Sequence, residues 1–339
     1  MLPSIGDSAL PGLLRNATAR AKSDLLLHTQ EMTTGITSTP ARHLKGDLGA
    51  ISAIDRRLAL LEGHGAVTRA AGLQFEAMQA GLDRLADSAD TLGAQLRIAL
   101  QSNLPDALSA TGGLARAAFD EAVSALNTQV AGRSLFAGTA PEGPALRPAA
   151  EILEALQTAL AAAAPAGAPA DIPALVQQVK DWFADPAGFA QAAYLGGAAG
   201  ADLRLSPELS APAPETALAP EVTAHLAALA LGALLQDAPQ AVGPQARAAL
   251  AEASATALLG TQSGLTALQA RTGLSEARVA TAEARNNSET ASLSVARADL
   301  LGVDPYEAAS RLEEARGRLE ALFTLTARLS RLSLLEYLR

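Results

Sequence analysis

Residues 71–96, AGLQFEAMQAGLDRLADSADTLGAQL, carry the most regular apolar pattern in the chain. The spacing between apolar positions alternates between four and three residues, at Ala71, Phe75, Met78, Leu82, Leu85, Ala89, Leu92 and Leu96. A heptad pattern sustained over several repeats is typical of a long helix that packs along its length against other helices. This stretch therefore predicts a helical fold.

A second series with the same spacing begins at Leu265. Its members are Leu265, Leu268, Thr272, Ser275, Val279, Ala282, Asn286, Glu289, Leu293, Ala296 and Leu300. Two interpretations of the polar centre stay open. Asn286 and Glu289 are either buried, where polar groups fix helix register at some cost in stability, or they face solvent on a helix that rotates away. We call the large apolar members of the two series, from Phe75 to Leu96 and from Leu265 to Leu300, the rod seam.

The two series lie on predicted long helices at residues 44–96 and 244–300, which can pair as an antiparallel rod. Between them the chain is rich in proline and alanine. Short helices are predicted there at 149–163, 172–184 and 221–236 and an extended segment at 203–209; a loosely specified insert is the alternative. The predicted regions are an N-terminal assembly helix (1–40), rod helices (41–138), a variable outer domain (139–243), a rod helix (244–302) and a C-terminal assembly helix (303–339).

Both ends of the chain are predicted to be amphipathic helices. Gly35 is suited to end the first, and Thr39-Pro40 to begin the next. Asp304 and Glu307 flank Pro305 as a capping box that starts the last helix. Neither helix can bury its apolar face alone, so we expect these faces to form an assembly interface. Its predicted members, the terminal leucines, are Leu13, Leu14, Leu25, Leu312, Leu319, Leu322, Leu325, Leu329, Leu332, Leu335 and Leu338.

The predicted fold class is therefore all-α: an elongated antiparallel helical rod with paired terminal helices and a small inserted domain. Alanine and leucine supply most of the apolar content, and both favour helices, whereas the aromatic residues that strands favour make up only 3% of the chain.

Composition and motifs exclude most kinds of chemistry. The net charge of -9 argues against a nucleic-acid partner. The chain has no cysteine, and its four histidines are scattered without carboxylates at metal-ligand spacing. We therefore predict no catalytic, metal or cofactor site and no enzymatic activity. No segment is apolar enough to cross a membrane, and the first ten residues do not have the pattern of a cleavable signal peptide.

Several segments resemble the flagellin superfamily. Residues 13–35 look like its first helix and the small-residue turn that ends it. Residues 127–139, NTQVAGRSLFAGT, are similar to the segment where hook–filament junction proteins of the family leave the rod, and 329–338, LSRLSLLEYL, to the family's last helix. The amino terminus departs from the pattern, because the family's usual asparagine- and serine-rich start is replaced by MLPSIGDSALPG. Residues 139–243 have no recognised counterpart.

The resemblance implies an extracellular structural protein at the hook–filament junction of the bacterial flagellum, exported unfolded without signal cleavage. Implied partners are copies of itself in a ring, the neighbouring hook-associated protein, flagellin, and an export chaperone that binds the C-terminal helix. Two alternatives stay open: flagellin, the filament subunit itself, and a non-flagellar exported helical interaction protein.

Overall fold

A computed structural model describes residues 5–102, 105–163, 171–237 and 243–337, with the side chains of 5–11, 105–106, 237 and 330–337 left out. The described helices are α1 (Ile5–Thr34), α2 (Pro40–His43), α3 (Gly49–Gln101), α4 (Pro105–Leu126), α5 (Ala149–Ala163), α6 (Ile172–Ala184), α7 (Gln191–Ala193), α8 (Pro220–Asp237), α9 (Pro244–Leu301) and α10 (Pro305–Tyr337). The prediction of an all-α fold is confirmed. No described helix is both long and apolar enough to cross a membrane.

Proline begins many of these helices because its fixed φ suits the first helical turn, where its missing N–H is not needed. The helices α2, α4, α8, α9 and α10 all begin with proline. One predicted start is wrong. The long helix begins at Gly49 and not at residue 44, because Lys45 and Gly46 both take positive φ and turn the chain after α2. Thr39 precedes α2 but makes no side-chain hydrogen bond that caps it.

The described residues form two compact units. The first comprises residues 1–63 and 287–339, and the second comprises 64–286. In the first unit, Asp55 and Arg57 on α3 make ion pairs with Arg297 and Glu289 on α9, and the N···O distances are 2.8 and 2.5 Å. Since the residue number rises along α3 as it falls along α9, the two helices run antiparallel in this unit.

The second unit contains one contiguous hydrophobic core. Its largest fully buried side chains are Phe75, Phe119, Phe136, Phe189, Met78, Leu82, Leu85, Leu96, Leu126, Leu146, Ile152 and Leu156. In this unit Asp83 and Asp90 on α3 accept hydrogen bonds from Gln269 and Gln262 on α9, so these segments also run antiparallel.

The described part of residues 139–243 is folded into this same core. The three short helices predicted there are present as α5, α6 and α8, the last with its start at Pro220. Of the extended segment predicted at 203–209, only Leu203–Arg204 forms a strand (β3), which pairs antiparallel with β4 (Ser210–Ala211), and residues 206–208 bend between them. A second hairpin pairs β1 (Gln129–Val130) with β2 (Arg133–Ser134). A kinked turn at Pro186–Ala190, in which Gly188 is not helical (φ -89°, ψ -110°), brings Phe189 against Trp182 and Phe183, with ring centroids 6.0 and 5.0 Å away. The few aromatic residues thus concentrate where the alanine-rich chain needs volume.

Helices α4 and α8 pack closely because glycine occupies their contact. A Cβ added at Gly112 on α4 would lie 2.6 Å from the backbone nitrogen of Gln236 on α8. A Cβ at Gly232 on α8 would lie 2.8 Å from the Cβ of Ala115 on α4. Side chains larger than hydrogen would therefore force the two helices apart.

His225 on α8 is fully buried in this core. Its Nε2 lies 3.3 Å from the Ser88 Oγ on α3, while its Nδ1 has no hydrogen-bond partner among the described residues. Burial lowers the pKa of the imidazole from 6.5 to about 4, because the charged form has no compensating partner. The histidine is therefore neutral in the folded chain near neutral pH.

We expect the second unit to lose stability as the pH falls from 6.5 towards 4. The folded pKa lies below the unfolded value, so protons bind preferentially to the unfolded chain across this window, with a loss of roughly 3 kcal/mol. Urea unfolding of His225→Leu and of a control, His43→Leu at an exposed position, measures this. In the His225 variant, the free energy of unfolding should depend much less on pH between 6.5 and 4 than in the parent chain. The His43 variant should keep the pH dependence of the parent. Equal pH dependence in the two variants would contradict the assignment to His225.

A second prediction concerns the α4–α8 contact. Gly112→Ala should destabilise the chain by about 1–3 kcal/mol, because the added methyl group meets the backbone of α8. Gly113→Ala is the matched control, since a Cβ there meets nothing within 4 Å, and it should stabilise the helix by about 0.5–1 kcal/mol. If the urea midpoint rises in Gly112→Ala as it does in Gly113→Ala, the contact between α4 and α8 is not tight.

Candidate assembly site

Helices α1 and α10 of the first unit pack against each other as an antiparallel pair. The end of α1 lies beside the start of α10, where Ile36 and Gly302 form an antiparallel bridge. Farther along, the Lys22 ammonium on α1 lies 5.7 Å from the ring centroid of Phe323 on α10, a cation–π contact worth about 0.5–1 kcal/mol at an exposed site. The pairing therefore extends well beyond the turn.

The buried apolar side chains described on this pair are small. They are Ala21 on α1 and Ala308 and Ala315 on α10, each less than a tenth exposed. Alanine permits close approach of two helices, but its burial removes little apolar area from water. Among the described side chains of the pair, no larger apolar residue is fully buried.

The terminal leucines of this pair differ in exposure. Leu13 and Leu325 are 65% and 50% exposed, and Leu14, Leu25, Leu312, Leu319, Leu322 and Leu329 are half-buried. Leu332 and Leu335 lie in α10, but their side chains are outside the described set, and Leu338 lies outside the described residues. None of the terminal leucines whose side chains are described is fully buried.

Further exposed apolar residues on the same pair were missed by the sequence reasoning. Leu26 is 71% exposed, Tyr306 is 86% exposed, and Met32 and Phe323 are about half exposed. The run Leu25-Leu26-Leu27 contained a signal for this surface, because three consecutive leucines cannot all lie on one helix face. Nothing in the spacing distinguished Tyr306, which follows the proline that starts α10.

Charged residues on α10 pair along the helix. Glu307 contacts Arg311 at 2.5 Å, and the pairs Glu314–Arg318 and Arg316–Glu320 are each separated by 3.3 Å. All are exposed i,i+4 pairs of the kind that stabilise a helix by about 0.3–0.5 kcal/mol each. These ion pairs stabilise α10 itself, so helix stabilisation is sufficient to explain them.

The turns after α1 and after α9 are joined by backbone hydrogen bonds. The Thr37 N–H donates to the Leu301 carbonyl over 2.8 Å, and the Val303 N–H donates to the Gly35 carbonyl over 3.0 Å. Gly35 has a φ of +67°, the left-handed conformation that ends many helices. The two helix breaks that the sequence marks separately thus form one structure.

The side chain of Glu31 is buried beneath the turn that follows α1 and binds that turn. Its carboxylate, only 2% exposed, accepts hydrogen bonds from the Ser38 N–H (2.9 Å) and the Thr37 hydroxyl (3.3 Å) and contacts His28 Nδ1 (3.0 Å). Burial raises the pKa of the Glu31 carboxyl, but the hydrogen bonds from His28, Ser38 and Thr37 together outweigh burial and lower it. The site therefore holds a buried carboxylate in its charged form.

Asp304 precedes α10, at the position predicted for its N-cap. Its Oδ1 accepts hydrogen bonds from the backbone N–H groups of Tyr306 (2.8 Å) and Glu307 (3.1 Å). The Glu307 carboxylate pairs with Arg311. The aspartate thus satisfies two of the amide groups that a helix start leaves free.

The rod-seam residues divide between the two compact units. In the second unit Phe75, Met78, Leu82, Leu85, Leu92, Leu96, Leu265, Leu268 and Val279 are buried. In the first unit Leu293 and Leu300 are half-buried.

The polar centre of the second series combines both interpretations that the sequence left open. Asn286 is buried, and its Nδ2 has no hydrogen-bond partner among the described residues. Glu289 is half-exposed and receives two hydrogen bonds from the Arg57 guanidinium, at 2.5 and 2.8 Å, which lower the pKa of its carboxyl. Glu289 therefore forms an ion pair that joins α9 to α3.

The described residues contain no cluster of three or more histidines and acidic side chains that could hold a metal ion. An open apolar groove of about 1220 Å³ lies among α6, α8 and α9 in the second unit. The charged side chains that line it are Lys180, Asp185 and Glu252, and alanine is the most frequent residue in the rest of the lining. This lining offers little for acid–base or nucleophilic chemistry.

The packing of α1 on α10 is testable at Ala315. Ala315→Leu should separate the helices and destabilise their pairing by about 1–3 kcal/mol, because the buried site has no room for a larger side chain. Hydrogen exchange of the α1 amides should accelerate in this variant. The control, Ala321→Leu at an exposed position of α10, should leave exchange unchanged. Equal protection in both variants would contradict the alanine contact.

Comparison with known proteins gives one family match. Residues 258–338 match the family model of the bacterial flagellin C-terminal helical region, which here covers the later part of α9 and nearly all of α10. A structure assigned as a flagellar hook-associated protein from Vibrio parahaemolyticus aligns over 71% of this chain and 94% of its own, with 11% identity and a TM-score of 0.38. No curated protein sequence matches the chain. Its carboxy-terminal quarter is thus similar to the C-terminal helical region of bacterial flagellin.

Proposed function

We propose that the chain is a structural axial protein of the bacterial flagellum, which forms the junction between hook and filament and templates filament assembly. One observation carries the proposal: α1 and α10 bury alanines against each other, while Leu13, Leu26, Phe323 and Leu325 stay half or more exposed. The similarity of residues 258–338 to flagellin supports it, because that segment includes the exposed face of α10.

Assembly would remove this apolar surface from water. Each square ångström of apolar surface buried contributes about 25 cal/mol, so burial of the apolar side chains exposed along two long helices can offset the entropy of ordering them. The proposed partners are further copies of the chain in a ring, the neighbouring hook-associated protein and flagellin. Before export, a chaperone covers the face of α10. The protein acts outside the cell and reaches its site through the flagellar export route without signal cleavage.

Flagellin itself, the filament subunit, is the second candidate. The match to the flagellin C-terminal region favours it as much as it favours a junction protein. The resemblance of residues 127–139 to the segment where junction proteins leave the rod is the reason for preferring the junction role. A non-flagellar exported helical interaction protein is the third candidate, and it would not require the flagellin-like end.

Deletion of the gene in its own bacterium separates these candidates. A junction protein predicts hooks without filaments, with flagellin released unpolymerised into the medium, as seen by electron microscopy and by gel analysis of culture supernatants. Loss of the major secreted band, with that band identified as this polypeptide, would establish the filament subunit instead. Unchanged motility would exclude both flagellar roles.

Complementation of the deletion then tests the assembly face. The double variant Leu26→Asn and Leu325→Asn should fail to restore filaments, because both side chains belong to the exposed face of the α1–α10 pair. Leu195→Asn is the control, since Leu195 is a leucine of the second unit that is 45% exposed, and this variant should restore them.

A further inference from the structure

We propose that Glu31 is a latch residue that fixes the alignment of α1 with α10 by holding the α1–α2 turn against the α9–α10 turn, and that a proton releases it. This inference concerns the helix pair of the proposed function, but it is a property of the isolated chain and does not depend on a flagellar role.

The connection runs through a short series of hydrogen bonds. The Glu31 carboxylate binds the backbone N–H of Ser38 and the hydroxyl of Thr37. The backbone N–H of that same Thr37 donates to the carbonyl of Leu301 on the opposite turn. One buried side chain on α1 therefore orients the backbone group through which the first turn contacts the second.

The surroundings leave Glu31 few alternative partners. Thr37 and Leu301 are buried and Ser38 is exposed, so it is the groups of Thr37 in this series that are shielded from competing water. Removal of the acceptor would leave the Thr37 hydroxyl and the Ser38 N–H without their partner. Both would then favour a turn conformation in which they reach solvent.

The ionisable groups near the two turns have identifiable partners. His28, on the same helix, contacts Glu31 Oε2. Residues 35–39 of the first turn include no ionisable side chain. On the opposite side, Asp304 caps α10, and Glu307 pairs with Arg311. Glu31 is therefore the ionisable group whose charge the hydrogen bonds of the first turn require.

The direction of the pH effect follows from these hydrogen bonds. They lower the pKa of Glu31 below that of an unfolded glutamate, so the latch contributes its full stability above about pH 4.3 and loses it as the pH falls through the folded value. The protonated carboxyl gains a donor but loses acceptor capacity toward the two donors of the turn.

Paired spin labels can measure the alignment in the full chain. The natural sequence has no cysteine, so Met32→Cys and Tyr306→Cys place labels only at the end of α1 and the start of α10, and both positions are exposed. Pulsed electron paramagnetic resonance at pH 7 should give a narrow distance distribution, which broadens in acid. Glu31→Ala should give the broad distribution at both pH values.

Glu31→Gln and Glu307→Gln complete the test. The glutamine at position 31 keeps an acceptor but cannot titrate, so its distribution should not change between pH 7 and acid. The Glu307 variant removes an exposed carboxylate on α10 and should behave as the parent chain does. A narrow distribution in Glu31→Ala, acid broadening in Glu31→Gln equal to that of the parent, or no broadening of the parent in acid would each overturn the proposal.

Discussion

Two helices that meet along alanines cannot cover their own leucines, and the character of the first unit depends on this constraint. Ala21, Ala308 and Ala315 let α1 and α10 approach closely. The close approach removes little apolar area from water, and none of the described leucines of the pair is fully buried. Such a pair has only part of the burial that two long helices need, so additional chains are the natural source of the remainder.

The second unit solves the opposite problem. Its alanine-rich helices would leave voids if they packed at ordinary distances, because alanine fills little volume. Glycines at the α4–α8 contact bring the helix backbones together, and phenylalanines from four separate segments fill the spaces that remain. The buried His225 adds a group that stays neutral in this apolar core and makes its stability sensitive to acid.

Polar groups determine alignment where apolar burial is weak. In the first unit, Glu31 orders a turn, Asp304 starts a helix, and Arg57 joins α3 to α9 through Glu289. Hydrogen bonds have strict geometry, whereas an alanine contact allows helices to slide. The same division of roles suits the proposed axial subunit, in which the exposed apolar side chains would contact neighbouring chains and polar groups would fix the alignment of the helices.

The sequence by itself determined the all-α class, most helix positions and the flagellin-like carboxy-terminal end, because spacing, proline starts and glycine ends are local properties of the chain. Even the short helices of the proline-rich region could be predicted, since each has its own apolar face. The tertiary structure alone showed that the terminal helices meet through alanines, that the turns at Gly35 and Gly302 pair, and that Glu31 is buried between His28 and Ser38. The first two facts depend on residues hundreds of positions apart coming into contact, and the period of a single helix carries no information about which neighbour will cover it. The position of Glu31 depends on the turn that brings Ser38 back to it, and helical spacing does not encode that turn.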